Sequence, residues 1–115
     1  MATLLNTANY DLLNTQIQEI LKTGKTALIT IYSDADASNI VSDSHGPIQG
    51  RQATSVSYTK SYLDPDGNPT NPFLEIKFLD GSSFTEVLSD VFKTVDNEAE
   101  YWYVLSTGVV PMMTF

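Results

Sequence analysis

Residues 73–88 read FLEIKFLDGSSFTEVL. Leu74, Ile76 and Phe78 alternate with Glu75 and Lys77, the period of a strand with one buried face. Asp80-Gly81 is the favoured pair for a type I′ hairpin turn. Ser83 to Leu88 then reads as the returning strand, so the stretch predicts an antiparallel hairpin. Just upstream, Ala53 to Leu63 alternates as well. Val56, Tyr58, Lys60 and Tyr62 fall on one side, and Ser55, Ser57, Thr59 and Ser61 form a hydroxyl-rich side. Between these segments lies DPDGNPTNP (64–72), a turn cluster in which Pro65, Pro69 and Pro72 set the chain direction.

Further towards the N-terminus the period changes to helical. Tyr10, Leu13, Ile17, Ile20 and Leu21 make one narrow apolar stripe. Thr7 or Asn9 can cap its start, Asp11 and Lys22 suit the two ends of the helix dipole, and Gly24 is a natural terminator. The spacing predicts a helix over 8–23, packed by one face on the sheet. Thr26 to Tyr32 (TALITIY) is β-branched and apolar throughout, and predicts a well-buried strand. The next twenty residues, SDADASNIVSDSHGPIQGRQ (33–52), carry only Ile40, Val41 and Ile48 as apolar anchors. They predict a long loop of functional or partner-ordered character.

After the hairpin, Leu88, Val91, Phe92 and Val95 return to helical spacing, with Ser89 as a possible cap. Glu100 to Ser106 is dense in aromatic and β-branched residues and reads as a strand. A helix continuing through Ala99 and Trp102 is the alternative. The whole predicts an α+β fold in a single domain, 1–115. An N-terminal amphipathic helix packs on a mainly antiparallel sheet of about four to five strands, with the long loop at 33–52.

Composition narrows the function. The 115 residues include no cysteine, which excludes a disulfide framework, a thiolate nucleophile and Cys-ligated zinc or iron–sulfur centres. The net charge is −8 and is uneven. Residues 61–115 carry Asp64, Asp66, Glu75, Asp80, Glu86, Asp90, Asp96, Glu98 and Glu100 against only Lys77 and Lys93. Nucleic acid and anionic membrane surfaces are therefore disfavoured partners, since both call for clustered Lys and Arg. No apolar run approaches the roughly 18 residues of a membrane span. The N-terminal MATLLNTANYD lacks the basic start and apolar core of a signal peptide. Charged residues are only 17% of the chain, while there are eleven Ser, thirteen Thr and seven Asn. Neutral polar groups cost less to desolvate than charges and suit persistent contacts.

The chemical candidates are few. His45, the one histidine, sits in Asp43-Ser44-His45-Gly46-Pro47, but consecutive side chains diverge and a triad needs groups from separate parts of a fold. It reads as a loop histidine. Asp64-Pro65-Asp66-Gly67-Asn68 has the alternating oxygens and glycine of a calcium-loop start, with Glu75 at the right distance. Glu75 falls in a strand, so a proline-set connection is the better account. Asp34 and Asp36 read as a solvated acidic pair, and no phosphate-cradling glycine motif occurs. No cofactor is expected.

The interface candidates lie near the C-terminus. In a strand, Tyr101 and Tyr103 face one side and Trp102 the other, and the two tyrosines are expected to be offered to a partner. The apolar VVPMMTF (109–115) supplies Val109, Val110, Met112, Met113 and Phe115. It is expected either to fold over its own core or to pack on a neighbouring subunit. The sequence thus predicts a non-enzymatic structural or assembly protein that contacts protein subunits in a homo-oligomer or larger assembly. Absence of cysteine, low charge and abundant Ser, Thr and Asn make it similar in texture to small virion proteins of tailed phages, such as head decoration, neck or tail components. No family motif carries that likeness. The alternative is an acidic binding module that blocks a basic site on another protein.

Overall fold

The computed structural model describes residues 2–88 and 100–108. Its elements in chain order are β1 (Thr3–Leu4), α1 (Tyr10–Lys22), β2 (Thr26–Tyr32), β3 (Ser42–Asp43), β4 (Gly46–Pro47), β5 (Arg51–Thr59), β6 (Phe73–Phe78), β7 (Ser83–Val87) and β8 (Trp102–Gly108). Six strands form one sheet in the order β1-β8-β2-β5-β6-β7, every neighbour antiparallel. One helix on a mainly antiparallel sheet makes the fold α+β, as the alternating segments imply. The strand beyond the expected five is β1, whose two residues are too short to leave a periodic signal. The strand expected at 100–106 is present as β8, Trp102–Gly108, and the expected helical turn after Leu88 lies outside the described residues.

The helix is placed by its stripe. Leu13 and Ile17 are fully buried, Tyr10 and Ile20 pack beside them, and Leu21 is left at the rim. Beneath lie Ala27, Ile29 and Ile31 of β2 and Val56 of β5. The start differs from expectation. No side chain of Asn9 caps the helix; Asn6 Oδ1 accepts the N–H groups of Ala8 and Asn9, and Asn9 Nδ2 donates to the Leu4 carbonyl. The end matches expectation, with Gly24 at φ +78°.

A bulge at Ala53/Ser55 interrupts the β5–β6 ladder. Two polar helix residues meet it. Gln18 Nε2 donates to the Thr54 carbonyl at 2.8 Å, and Asn14 Oδ1 accepts the Val56 N–H at 3.0 Å. Asn14→Ala would leave that N–H without its acceptor, and is expected to cost about 1–3 kcal/mol in denaturant unfolding.

The β6–β7 connection also differs in detail from the two-residue turn. Gly81 N donates to the Phe78 carbonyl and Phe78 N to the Ser82 carbonyl, which leaves a three-residue loop with Gly81 at φ +91°. Asp80 Oδ1 accepts the Ser82 N–H and steadies the turn. The strand predicted to run to Leu63 stops at Thr59, where pairing with Phe73 ends. Tyr62 and Leu63 are exposed on a closed arm, in which Thr70 exchanges hydrogen bonds with Tyr62.

The 33–52 excursion is a long, largely exposed connection, as expected, but it is anchored in the core through Ile48, with Val41 packed beside it. Val41 N donates to the Ile31 carbonyl, Ile31 N to the Ile48 carbonyl and Ile48 N to the Val41 carbonyl. Ile48 has no exposed surface. The β3–β4 turn is clasped by Arg51, which takes both Asp43 oxygens, at 2.6 and 3.1 Å, and the carbonyls of Gly46 and Pro47. The guanidinium lies 5.0 Å above the Phe78 ring. Shortening 36–48 is therefore expected to cost thermal stability.

Candidate functional site

Register sorts the sheet residues into two faces, because directly opposed residues share a side. On the inner face, under α1, lie Ala27, Ile29, Ile31, Val56, Tyr58, Leu74, Ile76, Phe84, Glu86, Tyr103 and Leu105. Tyr10 of the helix stacks at a tilt on Tyr58, 5.6 Å between centroids. Phe84 of β7 meets Tyr101 edge-on at 5.0 Å, although three strands separate β7 from β8. The sheet is thus curled strongly around its inner face.

This arrangement reverses the expectation for two interface candidates. Tyr103 is buried in the chain's own core and Tyr101 is half-buried against Phe84. The pairing of Ile31 with Tyr103 forces it, since Ile31 is inside. Burial raises the Tyr103 hydroxyl pKa. Trp102 takes the outer face instead, opposite Tyr32. Val109, Val110, Met112, Met113 and Phe115 lie outside the described residues.

The outer face carries Leu28, Tyr32, Trp102 and Val104 among Thr26, Thr30 and Ser106, continuing to Ser55, Ser57, Thr59 and Phe73. Among the described elements only α1 crosses the sheet, and it lies inside, on β5 and β2. The aromatic and aliphatic side chains of the outer face are half-exposed. The face is dominated by hydroxyl and apolar groups, with Glu75 and Lys77 at its β6 end.

A second feature flanks β8. The helix leaves this strand uncovered, and an open groove of about 440 Å³ runs between Gln16, Glu19 and Ile20 of α1, Thr23 and Lys25 just after it, and Leu105 and Thr107 of β8. Past Gln16 and Leu105 it continues to Leu12, Thr3 and Tyr103. Leu12, 57% exposed, points its apolar surface here.

The chemical candidates are accounted for locally. His45 is exposed, 3.9 Å from Asp43, with Ser44 Oγ at 3.4 Å from Nδ1. Asp43 serves Arg51, whose side-chain hydrogen bonds, aided by the His45 backbone N–H, hold the carboxyl down at about 2. Asp34 accepts the N–H groups of Ser38 and Asn39, and Asp64 those of Asp66 and Asn68. Both are turn-forming roles. Glu75 stands in β6, paired with Ser57, so no second helix completes a calcium loop. Among the described residues, no three His, Cys, Asp or Glu side chains gather to hold a metal, and no helix is long and apolar enough to cross a membrane.

One ionisable group escaped the sequence reading. Glu86 sits opposite Leu74 on the inner face, 5% exposed, and its Oε1 has no hydrogen-bond partner among the described residues. Burial, and secondarily the nearby Glu100 charge, pushes its pKa up to about 7. The alternation Phe84-Thr85-Glu86 places it inside by parity, against the usual exposure of Glu.

Comparison of the chain with protein-family models, curated proteins and solved structures finds no match.

Proposed function

We propose that this protein is a non-enzymatic structural subunit that acts by packing against other protein subunits, as a homo-oligomer or in a larger assembly such as a tailed-phage virion. The observation that carries this reading is the half-exposed outer face around Tyr32, Trp102, Leu28 and Val104, set among hydroxyls and crossed by no helix among the described residues. Aromatic anchors ringed by neutral polar groups suit a contact that excludes water without burying charge. The absence of cysteine and the low charged fraction of the sequence agree with it. The uncharged VVPMMTF segment supplies further apolar surface for the same purpose.

Light scattering behind size exclusion tests the reading. The full chain is expected to self-associate with rising concentration. Deletion of residues 109–115 is expected to return it to a monomer with an unchanged cooperative melt. A strict monomer that instead binds a basic protein in a salt-sensitive manner would transfer the assignment to the acidic blocking module, which the charge of −8 favours.

A further inference from the structure

The sequence holds two Asp-Gly pairs, Asp66-Gly67 and Asp80-Gly81, and no Asn-Gly. Such a pair can close on itself, because glycine has no Cβ to keep its backbone nitrogen away from the preceding carboxyl. The two pairs share one backbone setting. Each Asp is the third residue of a turn closed by its glycine. Gly67 N donates to the Asp64 carbonyl at 2.9 Å, and Gly81 N to the Phe78 carbonyl at 3.1 Å. The glycines have φ of +83° and +91°. Both aspartates are exposed.

Their surroundings differ. Asp80 Oδ1 accepts the Ser82 N–H at 2.8 Å and the Ser82 hydroxyl at 2.5 Å. These bonds hold the Asp80 carboxyl below its ordinary pKa, away from the neutral acid that can lose water. Its turn also closes the β6–β7 ladder, and Leu79 N donates to the Gln52 carbonyl. The Asp66 carboxylate accepts no hydrogen bond from the described residues. Its turn closes an arm joined by the Leu63–Pro69 bridge and the Tyr62–Thr70 bonds. An exposed arm outside the sheet opens at lower cost than the end of a ladder.

We infer that Asp66 is a modification site of this protein, converting spontaneously to isoaspartate through a succinimide, while the fold protects the matched Asp80. The Gly67 nitrogen attacks Asp66 Cγ, and its proton leaves with the carboxyl hydroxyl as water. Water then adds to either carbonyl of the imide ring. Breaking the bond from nitrogen to Cγ restores aspartate. Breaking the bond from nitrogen to the former main-chain carbonyl leaves the backbone running through Cβ, one atom longer. Water is the only co-reactant, and the mass of the chain is unchanged. The longer backbone disturbs the turn in which Asp64 Oδ1 accepts the Asp66 and Asn68 N–H groups. The arm carrying the exposed Tyr62 and Leu63 changes shape while the core does not. The inference is independent of the assembly reading above.

Peptide mapping of the full chain, stored at neutral pH and body temperature, tests it. Isoaspartate is located by fragmentation across the added backbone carbon. It is expected to accumulate several-fold faster at 66 than at 80 in the folded protein, and at similar rates in guanidinium, where both pairs are free. Ser82→Ala, checked by circular dichroism, is expected to speed position 80 and leave position 66 as it was. Equal rates in the folded protein, or a faster rate at 80, would overturn the inference. So would a difference that persists in guanidinium, since the fold would then not be its cause. Folded protein that forms no isoaspartate at 66 while the guanidinium sample converts would also overturn it.

Discussion

Ile48→Ala is expected to lower stability by about 2–5 kcal/mol, and the melting temperature by roughly 10–20 °C. The residue lies in a segment whose composition is that of a solvated loop. Yet its side chain has no exposed surface, and its backbone is bonded on both sides, to Ile31 and Val41. Removing three carbons there leaves a cavity that β2 cannot collapse into, because β2 is held by β8 along its other edge. His45→Ala, three residues away and exposed, is expected to change stability by less than about 0.5 kcal/mol. Parallel thermal melts of the two variants decide the matter. Equal melts would show that 33–52 is an appendage after all.

Glu86→Gln is expected to stabilise the protein by about 1–3 kcal/mol at pH 8 and to change little near pH 4. The unfolded chain releases this proton near the ordinary value of 4.5, and the folded chain holds it to about 7. Between those values the folded state binds more protons than the unfolded state, so stability falls as pH rises through the window and levels off above it. The amide is neutral throughout and removes the slope. Urea midpoints at intervals from pH 4 to 8 measure it. Two curves of the same slope would mean that the carboxyl is solvated or paired. Glu100 is the other charge identified near the Glu86 carboxyl, so Glu100→Gln is expected to reproduce only the smaller part of the change.

The two results bear on different kinds of information in the chain. Ile48 and Glu86 break the rule that local composition reports burial. Ile48 is inside because Arg51 and Asp43 hold its turn against Phe78, an arrangement joining three separate segments. Glu86 is inside because the β6–β7 register opposes it to Leu74, and a register is decided by the hairpin as a whole. Asn14 and Gln18 fall off the apolar stripe of the helix, which is all that periodicity says of them. Their bonds to the β5 bulge depend on an irregularity that no periodicity announces.

What the sequence determined by itself was the helix, the longer strands and the inner faces of α1, β2 and the β6–β7 hairpin's first strand. The helix stripe, the TALITIY strand and the 73–88 hairpin are encoded by neighbours three, four or two residues apart, and local sterics enforce them. The tertiary structure alone decided which way β8 turns. Tyr103 goes inward and Trp102 outward because Ile31 and Tyr32 of an already oriented β2 lie opposite them. It also decided that β1 pairs with only the first two residues of β8, Trp102 and Tyr103. Both depend on contacts between residues far apart in the chain, and no local pattern carries those.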